Sequence, residues 1–164
     1  MKSWYAVNTK IHCEAVACAS LDHLGIEVFL PILREQKVLR GKRRPSTSPL
    51  FPRYLFAKFD VSNKLRAVTY ARGVKNIVTF GEAPAMVDES IIQNIRNQTT
   101  DGVIELSENR FAPGQVVRIQ EGPLYGLEAV FKKKLDGTSR AELLLRAISF
   151  QARLIVDFRD VANM

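Results

Sequence analysis

The sequence predicts an α+β chain in two parts: an N-terminal α/β sandwich over residues 1–98 and a small C-terminal unit over residues 112–164. Three observations predict it. Strand-like and helix-like stretches alternate up to residue 97, in the order strand–helix–strand–strand–helix–strand–helix. Residues 99–111 are then polar and aperiodic, with Asp101, Glu105 and Glu108, as expected of an interdomain linker. The stretch from 112 onward is too short to hold a large core, and small units of that kind often lean on a partner.

The elements are justified in order. Ser3 to Thr9 carries Trp4, Tyr5 and Val7 and reads as a first strand. Ile11 to Leu24 has no Gly or Pro, spaces Ala15, Ala19, Leu21 and Leu24 helically, and ends at Gly25, a suitable residue just past a helix. Ile26 to Val38 opens on Val28, Phe29 and Leu30 and is interrupted by Pro31, which suggests an edge or a bulge. Arg40 to Pro49 mixes charge, Gly, Ser and Pro and reads as a mobile loop at a hairpin tip. Arg53 to Asp60 is an aromatic-rich strand, Lys64 to Ala71 a helix, and Val74 to Phe80 a strand ended by Gly81. Asp88 is placed to cap a helix to Arg96, with Ile91, Ile92 and Ile95 on one face.

In the C-terminal unit, residues 141–156 favour a helix. Eleven of these sixteen residues are good helix formers, and only Ile148, Ile155 and Val156 are β-branched. Leu144, Leu145, Ile148, Ala152 and Ile155 fall on one helical face. Ser139 with Glu142 forms a capping-box pattern after the Asp136-Gly137 turn. Leu124 to Leu135 would supply a partner helix, making a hairpin.

Composition limits function. The chain is 46% hydrophobic and 25% charged, which is globular and not disordered. No run reaches the ~18 apolar residues of a membrane span. The Met1-Lys2-Ser3-Trp4 start lacks the pattern of a signal peptide, so a cytoplasmic protein is expected. The net charge of +7 favours an anionic partner such as nucleic acid. Cys13 and Cys18 suit neither a disulfide framework nor a zinc site, and His12 and His23 are isolated. No phosphate loop, metalloprotease helix or nucleophile elbow occurs. No enzyme activity, metal or cofactor is therefore expected.

Finer motifs carry a resemblance. Trp4-Tyr5, Phe29-Leu30-Pro31, Pro49-Leu50-Phe51-Pro52, Tyr54-Leu55-Phe56, Phe59-Asp60, Arg72-Gly73-Val74 and Phe80-Gly81 succeed one another in order. Together they resemble the NusG N-terminal domain across residues 3 to 97. The block Arg40-Gly41-Lys42-Arg43 with the later PLFP and YLF looks like the specialised RfaH-type paralogue. Pro113-Gly114, Val116 to Ile119, Glu121-Gly122-Pro123, Gly126 and Ala129 to Phe131 are similar to the family's KOW motif. KOW would make Val116 to Ile119, Ala129 to Phe131 and Arg153 to Phe158 strands of a small β-barrel, against the helical propensity of 141–156. RfaH-type proteins adopt both forms: a helical hairpin in the autoinhibited chain and a barrel once released.

The resemblance implies the sites. A transcription elongation and antitermination factor would dock an apolar patch on the clamp helices of RNA polymerase. Here that patch would include Tyr5, Val7, Tyr54 and Phe56; the plainer reading is that these aromatics are core. Asn8 stands where RfaH relatives carry a further aromatic. Lys10, Arg72, Gly73, Val74 and Lys75 match the surface that reads the exposed single-stranded non-template DNA, with the glycine turn letting a splayed base approach. Six basic residues and one acid between Arg34 and Arg44 give a local charge of +5, so Arg40, Lys42 and Arg43 suit phosphate, unless that face is merely solvated. Lys64 to Thr69 matches a polar motif that touches the polymerase gate loop, without the family's wording.

Leu144, Leu145, Ile148, Ala152 and Ile155 would cover the polymerase patch, and the released barrel would meet a small-subunit ribosomal protein. Ser48 replaces the acidic residue that ties the closed form together in RfaH. The expected chain is a monomer without a membrane partner. A general NusG-like factor without sequence choice, or a basic KOW-containing RNA- or ribosome-binding protein, are the competing readings.

Overall fold

The computed structural model describes residues 1–105 and 136–162, with side chains through residue 149 in the last segment. The central strand is β1 (Ser3–Thr9). It pairs antiparallel with β5 (Tyr54–Phe59) on one side and β6 (Val74–Ile77) on the other. Beyond β5 lies β2 (Glu27–Phe29), giving the order β2-β5-β1-β6, and β9 (Met86–Val87) pairs with the start of β1. A second sheet runs β10 (Val103–Glu105), β3 (Ile32–Leu39), β4 (Lys42–Pro49). Strands β7 (Thr79–Phe80) and β8 (Ala83–Pro84) form a short hairpin. The helices are α1 (Glu14–His23), α2 (Val61–Thr69), α3 (Glu89–Asn97) and, among the described residues, a last helix α4 (Gly137–Ala162).

Alternation along β1 sorts its side chains to two faces. Tyr5 and Val7 stand opposite Ala57 and Leu55, and they pack with Ala17 and Leu21 of α1 and Val68 of α2. Trp4 and Ala6 point the other way with Phe56, into a cluster that holds Ile91, Ile92 and Ile95 of α3 and Leu144 and Ile148 of α4. The sheet is therefore dry on both sides, which explains why its strands read as nearly continuous apolar runs. Aromatic pairs fill the two layers: Tyr5 with Phe59 at 4.8 Å between ring centres, and Phe56 with Phe29 at 6.1 Å and Phe51 at 6.0 Å.

Local signals set the helix ends. Asp60 and Asp88 cap α2 and α3 by accepting from the backbone N–H groups of Ser62 and Ser90. Gly25 comes just after α1 with φ of +76°, the left-handed conformation expected there.

Several expectations need correction. Ile26 to Val38 is two strands, β2 and β3, and Pro31 lies at the break between them. Arg40 to Pro49 is no mobile loop: Lys42–Pro49 is paired with β3 throughout, and only Arg40 and Gly41 form the turn. Both have positive φ (52° and 76°), the conformation a two-residue hairpin turn requires. The expected linker at 99–111 contains β10, which runs parallel to Ile32–Arg34. Asp136, not Ser139, caps the last helix: its carboxylate accepts the Ser139 N–H at 2.7 Å. Residues 153–158 are helical, the form expected of the closed chain and not the strand of the alternative barrel form. The KOW positions 113–131 and the partner helix Leu124 to Leu135 lie outside the described residues.

Candidate functional site

The face of the main sheet opposite α1 and α2 is built by β1 and β5. Register pairs Asn8 with Tyr54 and Ala6 with Phe56. Phe56 is fully buried there, and Tyr54 is partly buried against the same cluster. Tyr5 and Val7 do not share this surface. They face α1 and α2 on the opposite side, so the four-residue patch expected from sequence divides into two pairs. The cause is simple: neighbouring residues of a strand point to opposite faces. The residues of β1 that accompany Phe56 are Trp4 and Ala6. Arg96 of α3 lies over the Trp4 ring at 5.3 Å and the Phe29 ring at 5.0 Å, closing one side of the cluster.

Helix α4 seats on this face. Leu144 and Ile148 join the buried cluster, with Leu143 packed at its edge, and Ala141 and Ala147 are buried as well. Leu145, expected on the buried face, is only half-buried and lies outside the cluster. The side chains of Ala152 and Ile155 lie outside the described residues.

Arg140 stands one helical turn before Leu144, on the same stripe, and is 5% exposed. Its Nε donates to the Leu50 carbonyl at 2.7 Å. Burial pushes its guanidinium below the ordinary arginine value, while Glu35 and Asp136 act the other way. One contact between α4 and the N-terminal part thus runs from arginine to the backbone of the PLFP stretch. Gly137 fits because nothing larger would: a Cβ there would lie 2.5 Å from Cγ of Pro52.

The basic ledge lies at the far end of β1. The Lys10 N–H donates to the Gly73 carbonyl at 2.9 Å, which holds Lys10 beside the turn 70–73. The Ser20 hydroxyl of α1 donates to the Arg72 carbonyl at 2.8 Å. Lys10, Arg72 and Lys75 are exposed, whereas Gly73 and Val74 are buried. The glycine therefore does not open a path for a base. Its φ is +86°, and a Cβ there would come 2.8 Å from the Ala17 backbone nitrogen. Close packing of the turn on α1 is what requires it. Val74 belongs to the core beneath α1 and α2.

Arg40, Lys42 and Arg43 are exposed around the tip of the β3–β4 hairpin. They belong to a different sheet from the ledge. In the Lys64 to Thr69 stretch of α2, Thr69 turns its hydroxyl back to the Leu65 carbonyl at 2.7 Å, and Lys64 is exposed. Cys13 and Cys18 are free, half-buried thiols, and burial raises the Cys18 value above that of an ordinary thiol. Among the described residues, no three His, Cys, Asp or Glu side chains cluster as metal ligands. Among them too, no helix is long and apolar enough to cross a membrane.

Sequence reasoning missed Arg140, Trp4 and Tyr70. Arg140 was detectable as the i−4 neighbour of Leu144 on the apolar stripe. Tyr70, 80% exposed at the end of α2, gave no periodic signal.

Comparison with known proteins adds to this geometry. A family model described as "Transcription termination factor nusG" matches residues 2–96. The chain is 25% identical over 134 residues to "Transcription termination/antitermination protein NusG" of Rickettsia conorii, across 75% of this chain and 70% of that protein. It is 22% identical to the protein of the same description in Escherichia coli strain K12, across 98% of this chain and 95% of that one. A solved structure described as "Domain interaction in Thermotoga maritima NusG" aligns with a TM-score of 0.39 at 21% identity, over 58% of this chain and 55% of that chain.

Proposed function

The chain belongs to the NusG family of transcription termination and antitermination factors, and we propose that within it the chain is a self-inhibited specialist of the RfaH type. One observation carries this reading. The last helix buries Leu144 and Ile148 in the same cluster as Phe56, on the sheet face that carries Tyr54 and Phe56, two of the four residues that the family resemblance puts in the polymerase patch. A helix seated there and the polymerase clamp helices compete for one apolar surface. Closure masks the patch; release of α4 exposes it.

The working patch in this reading is Tyr54 and Phe56 with Trp4 and Ala6. Tyr5 and Val7 support it from the opposite side of the sheet. Once bound to polymerase, the chain would hold exposed non-template DNA on the ledge of Lys10, Arg72 and Lys75, aided by the hairpin cations Arg40, Lys42 and Arg43. The resulting activity is suppression of pausing and termination. The released C-terminal unit would take the KOW barrel form and meet a small-subunit ribosomal protein.

The test compares RNA polymerase affinity of the full chain with that of the full chain carrying Leu144→Asp and Ile148→Asp. Weak binding by the natural chain and tight binding by the variant would support self-inhibition. Equally tight binding would make this a general, always-open factor. Binding by neither would remove the polymerase assignment.

A further inference from the structure

Tyr70 is unusual on this surface because it is large, aromatic and 80% exposed, yet its backbone is held by a hydrogen bond. It caps the C-terminus of α2, where its N–H donates to the Arg66 carbonyl at 3.1 Å. The residues after it are pinned as well. Ala71 N–H donates to the Val68 carbonyl, and Val74 N–H to the Ala71 carbonyl. Ser20 holds the Arg72 carbonyl, Lys10 holds the Gly73 carbonyl, and Gly73 is pressed against the backbone of α1. Tyr70 therefore projects from a rigid turn, so little backbone order would be lost on engaging a ligand there.

Its neighbours are cationic. Arg66 lies one helical turn before it, Arg72 two residues after, Lys75 on β6, and Lys10 just past the end of β1, which pairs with β6; all four are exposed. An exposed ring among cations suits a ligand that offers both a flat π-face and negative charge. Phosphates alone need no ring. Duplex nucleic acid hides its base faces in the stack, while a single strand offers both groups at once.

We propose that Tyr70 is the base-stacking platform of the ledge: its ring takes the face of one unpaired base of single-stranded DNA while Lys10, Arg72 and Lys75 hold the flanking phosphates. This rests on the single-strand reading of the ledge and adds to it the residue and the mode of contact. Specificity for single over double strand then comes from the ring, and salt-sensitive affinity from the cations.

The test measures fluorescence anisotropy of a labelled oligodeoxythymidylate and of a labelled duplex with the full chain, its Tyr70→Ala and Tyr70→Phe variants, and a Lys10→Ala/Arg72→Ala double variant. Loss of one stacked base should weaken single-strand binding by Tyr70→Ala between about 5- and 150-fold. Tyr70→Phe should stay within about 2-fold of the natural chain, because the π-face is kept. Duplex binding should be unaffected by either change at Tyr70. Because the residue is exposed, thermal melting should be unchanged and serves as the folding control. Unchanged single-strand binding by Tyr70→Ala, with a loss in the double cation variant, would overturn stacking and leave the single-strand reading standing. No single-strand binding by the natural chain would overturn both.

Discussion

The two faces of the main sheet are equally dry but differently closed. On one, α1 and α2 cover Tyr5, Val7, Leu55 and Ala57. Each of these helices is joined to its strands by a few residues, as in the step from His23 to Glu27. On the other, α4 helps to cover Trp4, Phe56 and Phe51, and it enters the fold at Asp136, 30 residues of chain after the end of β10. Under the proposed self-inhibition, the second cover leaves while the strands and α3 stay paired, and the first stays in place. A further difference is chemical: α4 brings a buried arginine to its contact, and the cluster beneath α1 and α2 is apolar. If α4 opens as proposed, a polar anchor suits it, because the anchor sets the position of the helix without adding the full weight of an apolar contact.

The strongest test of this contrast removes equal side chains from each cover. Leu21 of α1 and Leu144 of α4 are both fully buried. Leu21→Ala should cost about 2–5 kcal/mol of global stability. Leu144→Ala should remove a similar ~2–5 kcal/mol, but from the closed-to-open equilibrium. Denaturant unfolding of the sheet, read through amide exchange of β1 and β5, separates the two. Equal loss of protection in β1 and β5 for both variants would break the comparison.

The next effect concerns the anchor. Replacing Arg140 with Met keeps much of the volume but leaves the Leu50 carbonyl without this donor. An unsatisfied buried acceptor costs about 1–3 kcal/mol. Arg140→Met should therefore raise the open population without lowering the melting temperature of the N-terminal part. Proteolysis within α4 should be faster in this variant, at conditions where β1–β9 stays resistant. A loss confined to global melting would make the arginine a general packing residue instead.

Legibility in the sequence divides along the same line. The elements around α1, α2 and α3 were readable because their signals are local: Gly25 after a helix, Asp88 before one, three isoleucines on one stripe. The faces were not readable, because Trp4 to Val7 is apolar at every position where both faces are covered, and Tyr5 cannot then be told from Trp4. Strand β4 was hidden by composition. Lys42–Pro49 holds charge, hydroxyls and two prolines, and only its pairing with β3 makes it a strand. Gly73 was readable as a turn glycine but not as a packing glycine, since the atom that excludes a side chain lies on α1. For the ligand-facing residues, Lys10, Arg72 and Lys75 were legible as charge. On α4 the helix itself was legible from propensity, but its cap was displaced, because Asp136 and Ser139 are both good caps and stand three apart.

The smallest expected effect is the pH response of the two covers, and it has the same sign in both. The Ser139 N–H holds the Asp136 carboxyl below the usual carboxylate range. A depressed value means that the cap contributes fully above the ordinary aspartate range and loses its effect as pH falls through the folded value. Asp60, which caps α2, is held lower still, at about 2, first by the Ser62 hydroxyl at 2.6 Å and then by the terminal ammonium at 3.0 Å. Its contribution is lost only as pH falls through about 2. Acid titration combined with residue-specific amide exchange should therefore show the first turn of α4 losing protection at a higher pH than the first turn of α2. The α4 cover would loosen while the α1–α2 side is intact. If α2 frays first, the anchoring of α4 is tighter than its carboxylate cap implies, and Arg140 with the leucines must hold the first turn without help from Asp136.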